Sequence, residues 1–126
     1  MYHYLAIAAG GALGALSRFW LGAMVERFNQ SHFPVGTFAV NLLGSLCIGI
    51  LYILFVEKAM VNDNLRPFMV IGFLGAMTTF STFSLDTVLL IQNGRPMTAL
   101  AYTLSSVIIC LLACWAGMAG ARTLFN

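Results

Sequence analysis

The chain has 126 residues, 60% of them apolar and only ten charged, six basic and four acidic. A soluble domain carries about 25% charged residues, so a chain with 8% and a mean hydropathy of +0.91 belongs in a bilayer. The same numbers exclude a sizeable soluble domain, an extracellular disulfide scaffold and a nucleic-acid binder, because a net charge of +2 spread over so apolar a chain makes no basic face.

Four stretches, Met1–Ser17, Phe28–Val56, Pro67–Leu85 and Pro96–Ala121, contain no Asp, Glu, Lys or Arg, and a helix needs about 20 apolar residues to cross a bilayer. The first span is expected at Tyr4–Val25. Met1–Tyr4 lacks Lys and Arg and the apolar run continues past any small-residue cleavage site, so this is a span and not a secretory signal. The second, Pro34–Val56, follows the polar turn Glu26–Phe33. The third, Phe68–Gln92, follows the Glu57–Arg66 loop with its Lys58, Asp63 and Arg66, and the fourth, Pro96–Arg122, follows a turn at Asn93–Arg95 punctuated by Gly94 and Pro96. No stretch alternates as a strand does, and only helices or closed barrels satisfy their backbone in lipid. The expected fold is an all-α integral membrane protein, a single four-helix transmembrane domain over residues 1–126.

Lys58 and Arg66 in one loop and Arg122 at the C-terminus lie on one side of such a bundle, Arg27 and Arg95 on the other. Orientation follows the Lys and Arg bias of the loops, and this near-balance leaves it undecided. Copies are therefore expected to insert both ways and to pair antiparallel. Gly10 with Gly14, Ser45 with Gly49, Gly72 with Gly75 and Gly117 with Gly120 place small residues at helical spacing, which favours tight helix contacts, within the chain and in a homodimer. Cys47, Cys110 and Cys114 all lie in spans and are not in metal-ligand spacing with His3 or His32.

Polar groups inside a span are costly and usually functional. The third span carries Gly75-Ala-Met-Thr-Thr-Phe-Ser-Thr-Phe-Ser84, with five hydroxyls around Phe80 and Phe83. Such hydroxyls can bond back to their own helix, but five in seven positions exceed what self-satisfaction explains. On a continuous helix at about 100° per residue, with Thr78 as zero, Thr82 falls at ~40°, Asp86 at ~80°, Thr79 at ~100°, Phe83 at ~140°, Phe80 at ~200°, Ser84 at ~240° and Ser81 at ~300°. No face is purely apolar, which suits a buried helix lining a polar route. Rings have positive edges, and a bare ion costs roughly tens of kcal/mol to bring into a low dielectric. Ring edges and hydroxyl donors together therefore suit a small, hard anion, without a fixed charge to trap it. Unwinding near Gly75 to Thr79 would in addition free main-chain oxygens for an alkali cation.

Gly10-Gly-Ala-Leu-Gly-Ala-Leu-Ser-Arg18, Gly36-Thr-Phe-Ala-Val-Asn41, Gly72-Phe-Leu-Gly75 and Thr78-Thr-Phe-Ser-Thr-Phe-Ser84 together resemble the Fluc (CrcB) family of bacterial fluoride channels, across all four spans in order. The resemblance implies a passive fluoride channel of the bacterial inner membrane that relieves fluoride toxicity. It implies an antiparallel dual-topology homodimer with a broken third helix, two fluoride pathways and a structural sodium ion at its centre. By position, Phe80 and Phe83 resemble the phenylalanines that contact fluoride, Asn41 the second-helix amide, and Ser81 and Thr82 the hydroxyl track. Thr37 resembles a pore-lining group, Tyr102 the fourth-span tyrosine and Arg18 the vestibule arginine, while the carbonyls of Gly75 and Thr78 resemble the sodium ligands, two from each subunit. Asp86 stands where the family usually has Glu, and Cys110 where it often has Ser, a stronger donor; Ser105 and Ser106 are expected at other angles.

A proton-coupled exporter of the small multidrug type is also four short helices. It needs a membrane-embedded acid, and Asp86 is the only one well inside a span here, with no Glu in the first. An accessory subunit without transport of its own is the third possibility weighed. No Ser or Cys stands near a His and no phosphate loop occurs, so an enzyme is not expected.

Overall fold

A computed structural model describes all of residues 1–126. Its helices in chain order are α1 (Tyr2–Glu26), α2 (Val35–Tyr52), α3 (Gly75–Met77), α4 (Phe80–Gln92) and α5 (Pro96–Leu124). Helix α2 continues through a widened π turn at Ile53–Glu57, and α3 ends a π-helical run, Pro67–Leu74, that follows a short 3-10 turn at Asp63–Leu65. Pro67 and Pro96 open their segments at the first turn, where a missing N–H costs nothing. There is no strand. Four helical runs, Tyr2–Glu26, Val35–Glu57, Asp63–Gln92 and Pro96–Leu124, are long and apolar enough to cross a membrane, and the chain is an all-α membrane protein. Arg122 does not end the fourth run. Its guanidinium donates to both oxygens of Glu57, from Nε at 2.9 and 3.1 Å and from Nη2 at 2.9 Å, so the last turn of α5 is tied to the end of the second run.

Glycine decides which backbones touch. A Cβ on Gly10 would overlap the Phe68 carbonyl oxygen, one on Gly14 the Phe73 carbonyl oxygen, and one on Gly72 would lie 2.7 Å from the Ile7 carbonyl oxygen. Helix α1 therefore lies backbone to backbone on Pro67–Leu74. In the same way Gly49 of α2 meets the Cys114 carbonyl and Gly117 of α5 meets the Leu46 carbonyl. These small-residue surfaces are spent inside the chain. The other members of two pairs are open: a Cβ on Gly75 would come no nearer than 3.6 Å to the Val70 carbonyl oxygen, and one on Gly120 would meet nothing within 4 Å. Spacing alone cannot separate the two cases, because i and i+3 share a face only broadly.

Two small cores result. Val40, Leu74 and Met77 pack with Cys47, Ile48 and Phe73, while Leu90, Ala99 and Tyr102 pack with Phe33, Phe38 and Phe83. Only 18 of the 126 residues are buried and none of the buried ones is polar, so most of the apolar surface faces outward. The three cysteines are half-buried and unpaired.

Gly14→Ala should lower the thermal unfolding midpoint in detergent, by the equivalent of about 1–3 kcal/mol of overpacking. Gly120→Ala, with open space around it, should change stability by less than ~0.5 kcal/mol.

Candidate functional site

The site is built on an interruption of the third run. Thr78 (φ −85°, ψ 150°) and Thr79 (φ −149°, ψ 121°) are extended between α3 and α4. In a continuous helix the Thr79 N–H would donate to the Gly75 carbonyl four residues back. Here it donates to Asn41 Oδ1 at 2.8 Å, and Asn41 Nδ2 donates to the Thr79 carbonyl at 3.0 Å. One carboxamide thus satisfies both main-chain polar groups of the extended Thr79, which lipid could not do. Gly44, one turn along α2, leaves room for the Thr78 methyl: a Cβ there would overlap Thr78 Cγ2.

Most of the hydroxyls are spent locally. The Thr78 hydroxyl donates to the Leu74 carbonyl at 2.9 Å and that of Ser84 to the Phe80 carbonyl at 3.0 Å. Thr79 caps α4, its Oγ1 accepting from the Thr82 N–H at 3.1 Å, the standard role of a Thr before a helix. The same Oγ1 lies 3.2 Å from both Ser81 Oγ and Thr82 Oγ1. Because the chain is extended at Thr78 and Thr79, a wheel drawn through them is invalid. Its angles hold only from Phe80 onward, where Phe80 and Phe83 remain neighbours, centroids 5.5 Å apart and planes tilted 56°.

A groove of about 500 Å³ runs along this break. It is lined by Asn41, Gly75, Thr78, Phe80, Phe83 and Cys110, together with Ser45 and Ser106, so six of the expected site residues converge on one surface. Phe80 is 77% exposed on the single chain. Ser106 shares the groove with Cys110, one turn away on α5, which corrects the expectation that it lies at another angle; the Ser105 hydroxyl instead donates to the Ala101 carbonyl.

The remaining expected residues lie elsewhere. Ser81 is exposed and Thr82 half-buried at the start of α4. Tyr102 is wholly buried, its ring 5.1 Å from that of Phe83 and its hydroxyl donating to Asp86 Oδ2 at 3.1 Å. Thr37 lines a second, polar pocket of about 380 Å³ with Glu26, Asn29, His32, Phe33 and Asp86. Arg18, half-buried on α1, lines neither space. Reading the sequence alone missed Gly44, which carries no chemistry of its own, and Glu26 and Phe33, which looked like ordinary turn residues.

The profile of the family described as CrcB-like protein, Camphor Resistance (CrcB), matches residues 5–118. A protein of Hahella chejuensis named fluoride-specific ion channel FluC is 48% identical over 120 residues, covering 95% of this chain and 94% of its own. Proteins with the same name from Stutzerimonas stutzeri and Magnetococcus marinus are 50% and 47% identical over 117 and 116 residues, covering 93% and 92% of this chain and 94% of each of theirs. The chain belongs to the CrcB-like family.

Asn41→Leu should strand the Thr79 N–H and carbonyl and lower stability in detergent by about 2 kcal/mol or more, since a donor or acceptor left unsatisfied costs ~1–3 kcal/mol. Ser45→Ala, on the same helix and in the same groove, should leave the unfolding midpoint within the equivalent of ~0.5 kcal/mol.

Proposed function

We propose that this family member is a fluoride-specific ion channel of the bacterial inner membrane, through which cytoplasmic fluoride leaves passively down its electrochemical gradient. The observation that carries the reading is the groove in which Asn41, Phe80, Phe83, Ser106 and Cys110 meet along the break, in a chain whose relatives over almost its whole length are named as fluoride-specific channels. Hydrogen fluoride enters an acidified cell as the neutral acid and dissociates at cytoplasmic pH; the channel gives the trapped anion a way out, which reduces its toxicity.

Fluoride must exchange its hydration shell for protein donors, because the Born cost of a bare ion in a low dielectric is tens of kcal/mol. The tilted pair Phe80 and Phe83 offers positive ring edges. The Asn41 carboxamide has two N–H donors, and only one of them is used on Thr79. Ser81 and Thr82 beside the Thr79 cap, and Thr37 and Tyr102 toward the polar pocket, extend the route, with Cys110 contributing a weak donor in the groove and Arg18 a vestibule charge. Neutral donors bind without trapping the ion, and spacing matched to a small ion disfavours chloride.

The working unit is an antiparallel dual-topology homodimer with a broken third helix. The near-balance of loop charges supports this, as does Phe80, too exposed on one chain to be a finished wall. A structural sodium ion fits the interruption. The Gly75 carbonyl has lost its Thr79 donor to Asn41, Thr78 is turned out of helical geometry, and main-chain oxygens suit a small hard cation. Gly75 and Thr78 of each subunit would hold it, and its charge would tie the two breaks together.

In liposomes, wild-type protein should release fluoride without a proton gradient and release little chloride, which separates a channel from a proton-coupled exporter. Phe80→Ile and Phe83→Ile should each cut fluoride efflux by about tenfold or more, the effect of ~1.4 kcal/mol on the barrier, while dimer elution is unchanged; full flux in both would sink the ring-edge account. A terminal tag reached from both faces of the membrane is expected, and a tag confined to one face contradicts the antiparallel pair.

A further inference from the structure

Five rings from four elements form one unbroken series. Phe38 of α2 meets Phe33 of the α1–α2 loop at 5.7 Å between centroids, Phe33 meets Tyr102 of α5 at 5.3 Å, Tyr102 meets Phe83 at 5.1 Å and Phe83 meets Phe80 at 5.5 Å. The first two contacts are edge to face, at 71° and 84°, which sets the positive edge of one ring against the negative face of the next. Phe33 is the one member of the series that no helix carries.

Hydrogen bonds hold it instead. The Phe33 carbonyl accepts from Asn29 Nδ2 at 2.7 Å and from the Val35 N–H at 2.8 Å. Asn29 Nδ2 also donates to Glu26 Oε2 at 3.0 Å, and the other oxygen of Glu26 accepts the Gly36 N–H at 2.7 Å. A carboxylate at the end of α1 thereby locks the loop and the start of α2 together. Gly36 is buried against it, a Cβ there falling 2.8 Å from Glu26 Cγ.

We propose that Phe33, clasped by Asn29 and Glu26, is a positioning residue for fluoride conduction, setting Phe83 through the wholly buried ring of Tyr102. The proposal rests on the channel reading above. Tyr102 is fixed at its hydroxyl by Asp86 and flanked by Phe33 and Phe83, so a smaller side chain at position 33 gives its ring room to shift, and Phe83 shifts with it. Phe33 touches no ion. Its effect is on the fit of the site, because small displacements of contact groups cost disproportionately in rate.

Efflux from liposomes as a function of internal fluoride tests this with wild type, Phe33→Leu, Phe33→Tyr and Glu26→Ala, each checked for dimer elution. Phe33→Leu and Glu26→Ala should lower flux by about fivefold and raise the half-saturating fluoride concentration by about threefold, whereas Phe33→Tyr, which keeps the ring, should stay within about twofold of wild type. A fall in maximal rate with unmoved half-saturation is what a merely structural role produces, and it overturns the proposal. Wild-type behaviour of Phe33→Leu overturns it as well. If Phe33→Leu does not assemble, Glu26→Ala decides, and wild-type flux and half-saturation there are fatal to it. A wild-type protein without fluoride flux overturns the channel reading and this inference with it; a conducting wild type beside a fully active Phe33→Leu overturns this inference alone.

Discussion

The two hydrogen bonds between the Asn41 carboxamide and the Thr79 main chain are what the rest of the site depends on. In hydrocarbon an unsatisfied peptide group costs several kcal/mol, so a span can be extended in its middle only where something replaces the lost helical bonds. Asn is suited to that task, since one planar group supplies a donor and an acceptor to the same residue. Once the break is held, Thr79 can cap a new helix, and Phe80 and Phe83 follow on the first turn of α4, aimed into the groove. A continuous helix would have aimed them according to Thr78 and everything before it.

Around that break the molecule is assembled from very close approaches and little core. Glycines bring α1 onto Pro67–Leu74 and α2 onto α5 until carbonyl oxygens touch the Cα positions, so dispersion between backbones does what side-chain burial does in a soluble domain. Bulky side chains are left outside, where lipid or a second copy of the chain can cover them. Besides the small Val40–Leu74–Met77 core, an aromatic series links Phe38 and the loop residue Phe33 to Phe83 through a wholly buried Tyr102, and ends at the exposed Phe80 in the groove.

Much of this was legible beforehand, and the failures are instructive. The spans expected from apolar stretches and turn signals matched all four runs to within five residues at each end, because the cost of charge in lipid is a local property of composition. Helix ends were less legible: the third run begins at Asp63, five residues before its expected start, and the fourth continues two residues past Arg122, whose guanidinium meets Glu57 at the end of the second run. The hydroxyl run was expected to exceed what self-satisfaction explains, yet Thr78 and Ser84 bond back to their own segment and Ser81 and Thr82 lie within hydrogen-bond distance of the Thr79 cap, while Ser106, set aside on angle, stands in the groove with Cys110. Gly75 and Gly120 match the small-residue pattern and touch nothing closely, whereas Gly44, in no pattern, seats the Thr78 methyl.

Sequence by itself determined that this is a four-span membrane protein with a polar, ring-bearing segment in its third span, and which family its motifs resemble. Those properties depend on composition and short spacings, which each segment carries alone. Tertiary structure decided where the third run is interrupted, which polar groups are spent on the backbone and which line the groove, and that a loop phenylalanine joins the ring series. The reason is range. Asn41 and Thr79 are 38 residues apart, Glu57 and Arg122 are 65 apart, and Phe33 meets Tyr102 across a still longer stretch of chain, so these pairings exist only once the helices have packed.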